Sequence, residues 1–243
     1  RAIGCSALRD AANGAEFVAG AGESGWAIEV IDGDREADWI QRGVADTVGP
    51  DVLGEDTALT LDIGGGSVET VLWDRQAIQG RFSLDLGVAR LTDWIKPSDP
   101  LKAKDLDSLA RIADQALTPL LALASDHPPR VLVGTSGAFN TLAALESPEA
   151  NWNPRNIADV LPYPTLRSRC RALRATSKTD LATIPNLHPD RCPYMSIACA
   201  LIEHLLERLP SVTTVLRSRH TLAEGVLSEA AEVLPATGWC SRG

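Results

Sequence analysis

No run of apolar residues in this 243-residue chain approaches the ~20 needed to cross a bilayer. No basic-then-apolar leader opens it either, so no membrane partner is expected. Positive charge is scarce: 23 Lys and Arg face 32 Asp and Glu, a net charge of −9. A nucleic-acid surface needs a basic stripe, and nucleic acid is therefore excluded as a partner. Any polyanionic ligand would have to be met by local cations or backbone donors. The five cysteines, Cys5, Cys170, Cys192, Cys199 and Cys240, are odd in number and lack CxxC spacing. That argues against structural zinc and for reduced thiols in a cytoplasmic protein. No short-period repeat or low-complexity tract is present, which excludes solenoids.

What is present is the composition of an ordinary globular domain, 44% hydrophobic and 23% charged. A short strand and a helix from about Ser6 open the chain. The alternating segment "GWAIEVID", Gly25 to Asp32, follows and reads as a half-buried strand. Next comes a helix whose Ala37, Ile40, Val44 and Val48 share one face, stopped by Gly49-Pro50. Asp51 to Asp56 reads as a linker. Three strands follow in quick succession, "ALTLDI", "SVETVLWD" and "QAIQGRFSLDLG". A long helix is expected from Lys102 to Ser125, then a buried strand "PRVLVG" and a short helix. A surface loop is expected over Asn151 to Pro164, helices near Thr165 to Ser177 and Arg191 to Arg208, and a final strand and helix. This order implies an α/β fold, a ribonuclease-H-like lobe with a mixed five-stranded sheet flanked by helices. The expected division is residues 1–54 as an N-terminal portion and 55–243 as the main lobe.

The stretch "DIGGGSVE", Asp62 to Glu69, carries the chemistry. Successive glycines let backbone N–H groups converge on an anion without interference from Cβ atoms. Gly64, Gly65, Gly66 and the Ser67 hydroxyl are the candidate phosphate donors. Asp62 before the turn and Glu69 after it are candidate ligands for Mg2+, which takes one or two carboxylates, phosphate oxygens and water. No lysine follows the glycines, which excludes a Walker loop. A plain hairpin turn remains the competing reading. A second strand-to-turn segment, Gly134, Thr135, Ser136 and Gly137, presents amides at a helix start and is a second candidate anion site.

Taken together these residues resemble the exopolyphosphatase / guanosine pentaphosphate phosphohydrolase (Ppx/GppA phosphatase) family of the actin-like ATPase superfamily. The resemblance is carried by "CSALRDAAN", "IEVIDGDREADWIQRGV", "DIGGGSVE", "SLDLGVARLTD" and "LAEG" in that order. It implies that Glu36 is the general base and that Asp62 and Glu69 associate with magnesium. Arg9 would neutralise substrate phosphate; Arg90 would do likewise or bridge the lobe's acids. The implied ligands are inorganic polyphosphate and guanosine penta- or tetraphosphate, and the implied assembly is a homodimer. The chain opens on Arg1 rather than methionine, and the family's first phosphate loop has no counterpart here, so residues 1–54 are expected to be a remnant of the N-terminal lobe. Val68 stands where the family has threonine, Asp38 and Ala223 where it has arginine. Those departures motivate an alternative, a binding module that senses polyphosphate or an alarmone without hydrolysing it.

Overall fold

The computed structural model describes residues 2–146 and 158–233. Its first elements are β1 (Ala2–Gly4), α1 (Ser6–Asp10), α2 (Gly14–Glu23), β2 (Ile28–Val30), α3 (Gly33–Ala45) and α4 (Pro50–Leu53). Strands β3 (Ala58–Ile63), β4 (Val68–Trp73) and β5 (Ile78–Leu84) follow, then α5 (Val88–Ile95) and α6 (Ala103–Asp126). The remainder is β6 (Val131–Thr135), α7 (Ser136–Glu146), β7 (Ala158–Leu161), α8 (Tyr163–Arg174) and α9 (Lys178–Leu181). Last come α10 (Cys192–Arg208), β8 (Thr214–Ser218) and α11 (Leu222–Val233).

Strands β3 and β4 are buried along their whole length, which is why both read as near-continuous apolar runs. They sit inside a sheet of order β5-β4-β3-β6-β8-β7, where β3, β6 and β8 run parallel and β4, β5 and β7 antiparallel to their neighbours. Among the described residues this sheet has six strands rather than the expected five. The addition is β7, an edge strand in the segment expected to be loop. It pairs with β8 although Val160 is exposed, so periodicity carries no signal for it. Residues 151–157 of that expected loop, and Cys240, lie outside the described residues, while its last two residues, Tyr163 and Pro164, open α8. β1 and β2 form a separate two-stranded parallel sheet.

Helices cover both faces of the larger sheet. On one side Leu109, Leu117 and Leu120 of α6 and the apolar stripe of α10 pack against Leu59, Leu61 and Leu72. On the other, Ala37, Ile40 and Val44 of α3 pack with Val48 and Leu53 against Ala58, Val71, Trp73 and Val133. Packing is continuous across the division expected at residue 54, because Ala37, Ile40, Val44, Val48 and Leu53 share a core with β3, β4 and β6. No described helix is long and apolar enough to cross a membrane.

Candidate active site

The register of the central strands assembles the acids. Asp62 lies directly opposite Glu69 in the β3–β4 ladder and beside Thr135 in the parallel β3–β6 ladder. Glu69 in turn faces Ser83 on β5, and Ser83 Oγ donates to its carboxylate at 2.9 Å. Glu36 arrives from α3, whose N-cap Asp32 accepts from the Arg35 N–H at 2.8 Å. That helix starts hard against β5: a Cβ on Gly33 would come within 2.3 Å of the Ser83 side chain. One turn later, Glu36 is buried at 7% exposure.

Both strand acids feel the charge of Glu36. Burial first, opposed by the Ser136 hydroxyl and reinforced by the Glu36 charge, raises Asp62 to about 6. Burial, then Glu36, with a further contribution from Asp62, raises Glu69 to about 7. Ser136 Oγ donates to Asp62, and the hydroxyls of Ser67 and Ser83 donate to Glu69. Glu36 accepts from Arg9 Nη1 at 3.4 Å, and the same nitrogen donates to the Ile31 carbonyl at 2.8 Å. The expected phosphate-neutralising Arg9 is thus placed against the candidate base. Cys5 lies beside Glu36 as well; burial and that carboxylate push its thiol up to about 12, so it stays protonated.

A cavity of about 660 Å3 opens in front of Asp62, a size that suits a small-molecule ligand. Gly64, Gly65, Ser136 and Gly137 line it, together with Val88, Tyr194, Met195 and Arg191. The glycine turn is braced from behind by α5: the Gly64 carbonyl accepts from Val88 N–H at 3.0 Å, and Gly65 from Ala89 at 2.9 Å and Arg90 at 3.2 Å. Each peptide unit is planar, so the N–H groups of Gly65 and Gly66 point away from α5. Among the described residues no protein group accepts from either. The approach is close enough that a Cβ on Gly87 would lie 2.3 Å from the Gly65 oxygen.

The second turn is divided in its roles. Ser136 and Gly137 reach the cavity, and β6 passes straight into α7 through Ser136 at φ 61°. Gly134 and Thr135 lie inside β6 instead. Gly134 makes room for the Phe139 ring, and the Thr135 hydroxyl donates to the His220 carbonyl at 2.6 Å. Sequence reasoning misses Arg191. It sits so close to Gly137 that a Cβ there would overlap its guanidinium at 1.5 Å, and it has no carboxylate partner among the described residues. It is remote in sequence from both turns, and only the docking of α10 brings it in.

The departures from the family pattern lie elsewhere. Val68 is part of the apolar core, so a hydroxyl there would not reach the cavity. Asp38 is paired with Arg81 on β5, and Ala223 is exposed on α11.

Both buried acids bind their proton more tightly folded than unfolded, so ionising them costs stability. That cost is absent below about pH 4 and complete above about pH 7. Asp10, Asp74, Asp105, Asp114 and Glu224 have depressed pKa values and lose their contribution only in acid. Metal-free protein is therefore expected to melt roughly 5 °C higher near pH 5.5 than near pH 8. Calorimetry in chelator checks this; a melting temperature that rises or stays flat over that range contradicts it.

A mixed sheet with this strand order, carrying acids at the ends of β3 and β4 around a glycine turn, defines an actin-like ATPase fold. The family model described as the Ppx/GppA phosphatase family matches residues 1–233, and the chain belongs to that family. Exopolyphosphatase 2 of Mycobacterium tuberculosis is 28% identical over 236 residues, covering 93% of this chain and 73% of that protein. The crystal structure of an exopolyphosphatase from Cytophaga hutchinsonii aligns with TM-score 0.87 at 30% identity, over 95% of this chain and 74% of that one. The Aquifex aeolicus Ppx/GppA family member shares the fold, with TM-score 0.78 at 24% identity over 96% and 74% of the two chains.

Proposed function

We propose that this protein hydrolyses terminal phosphoanhydride bonds, taking inorganic polyphosphate or the 5′-triphosphate end of guanosine pentaphosphate. The observation that carries this is that buried Glu36 acts electrostatically on the paired strand acids Asp62 and Glu69, which flank a turn whose amides face away from their supporting helix. The relatives named exopolyphosphatase support the polyphosphate reading.

Glu36, buried near the start of α3, accepts the proton of the attacking water. The N–H groups of Gly65 and Gly66 hold the phosphoryl oxygens, and their preorganisation means no reorientation is needed as charge builds. Arg191 neutralises charge further along the substrate. Asp62 and Glu69 fit a hard divalent cation, since both are buried carboxylates whose described partners are hydroxyls rather than cations. Among the described residues no three potential ligands converge on one point. Magnesium does not require it, because phosphate and water complete its shell. When bound, the ion offsets charge developing on the phosphoryl oxygens. The sensor alternative drew on Val68, Asp38 and Ala223, and none of these takes a group out of the cavity.

The test is phosphate release from inorganic polyphosphate and from guanosine pentaphosphate, each with magnesium and with chelator. Metal-dependent release from at least one is expected. Binding of either without release, by folded protein, would overturn the hydrolase reading in favour of the sensor.

A further inference from the structure

The third carbonyl of the glycine turn is held differently from the first two. Gly66 accepts from a side chain, Arg90 Nε, at 2.7 Å. The same guanidinium reaches Asp10 on α1, with Nη2 2.5 Å from Oδ2, and lies 3.5 Å from Asp85. Its carbon stands 5.7 Å from the centre of the Trp94 ring. Ser6, also on α1, donates to Asp10 at 3.0 Å, and a Cβ on Gly66 would come within 2.3 Å of its Oγ. Arg90 does not line the cavity.

We infer that Arg90 is a positioning residue that aims the Ser67 N–H, with Asp10 bracing its guanidinium. The Gly66–Ser67 peptide is planar, so fixing the carbonyl fixes the N–H on its opposite edge. Gly66 lacks the side-chain constraints that would otherwise hold that peptide, and free rotation would let the donor turn away. Only a rigid fork can hold a carbonyl through one nitrogen and a carboxylate through another. A lysine at position 90 offers a single flexible ammonium and loses the geometry while keeping the charge. Asp10 thereby ties α1, which also carries Arg9 against Glu36, to the anion-binding turn.

Gly-Ser occurs once in the sequence, at Gly66-Ser67. Protein labelled with carbonyl-13C glycine and 15N serine therefore yields one carbonyl-to-amide correlation, which reports this peptide alone. In Arg90→Lys and in Asp10→Asn that resonance is expected to shift, more in the former. The activity arm rests on the proposed hydrolase reading. There, kcat on polyphosphate is expected to fall about 10- to 100-fold in Arg90→Lys with KM within about threefold. Arg90→Ala should recover part of the loss when ethylguanidinium is added. An unmoved resonance in folded Arg90→Lys overturns the inference, whatever the activity. Absent hydrolysis in the wild type would sink the hydrolase reading alone, and the resonance would still decide this one.

Discussion

Glu36→Gln is expected to lower kcat for phosphate release by about two to four orders of magnitude, the usual contribution of a general base. The replacement is nearly isosteric at a position with 7% exposure, so packing is preserved and only the charge is lost. Affinity for polyphosphate should stay within a few fold, because Glu36 is not among the residues lining the cavity that the two turns and Arg191 line. A second consequence follows from the electrostatics. Glu36 raises both Asp62 and Glu69, so its removal should bring both pKa values down. The variant should then melt no lower than the wild type near pH 8 in chelator. It should also make Cys5 more readily alkylated, since the neighbouring carboxylate is among the groups holding that thiol protonated. An inactive but equally stable protein separates a missing base from a misfolded chain. Near-normal turnover in this variant would remove Glu36 from the mechanism.

Gly225→Ala is expected to destabilise the protein by about 2 kcal/mol and to cost activity as well. In an isolated helix the same change would be favourable by about 1 kcal/mol, since alanine loses less backbone entropy than glycine. Here the added Cβ would fall 1.7 Å from the Trp39 carbonyl oxygen, a backbone atom that can move only with its helix. At the same crossing of α3 and α11, a Cβ on Gly43 would fall 2.4 Å from the Thr221 oxygen. Trp39 Nε1 donates to Glu229 at 2.7 Å across this interface, and Arg42 reaches Glu232 at 3.0 Å, so the helices cannot simply part. The clash outweighs the propensity gain. Because Trp39 lies one turn from Glu36, displacing α3 moves the acid, and misplacement of about 1 Å is worth roughly 100-fold in rate. The control is Gly20→Ala in α2, where a Cβ meets nothing within 4 Å. That variant should gain up to about 1 kcal/mol. Thermal melts of the pair, with kcat for each, check both. Equal behaviour of the two would contradict the close-crossing argument.

This crossing also explains part of the "LAEG" segment in physical terms. Its glycine is there for approach of two backbones, and the exposed Ala223 beside it has no bearing on the cavity. Val68 teaches the same point. In the linear sequence it adjoins the phosphate turn, and its lost hydroxyl reads as a lost donor. Strand alternation sends that side chain into the core instead, while Ser67 and Glu69 face the other way.

Much was legible from local pattern, because the relevant physics is local. The apolar face of α3 was readable from 3.6-residue spacing, the buried β3 and β4 from their composition, and the glycine turn from the absence of side chains between them. So were the charge balance and the order of motifs that carry the family resemblance. Whatever depends on contacts between distant segments was decided only by the tertiary structure. The ladder register set Asp62 against Glu69, and the docking of α10 carried Arg191 to Gly137. The packing of α5 took up the glycine carbonyls, and β7 found a partner in β8. A residue's type and spacing constrain its own backbone and the face it presents. They do not say which distant group will meet that face, because that is settled by the burial of the whole core at once.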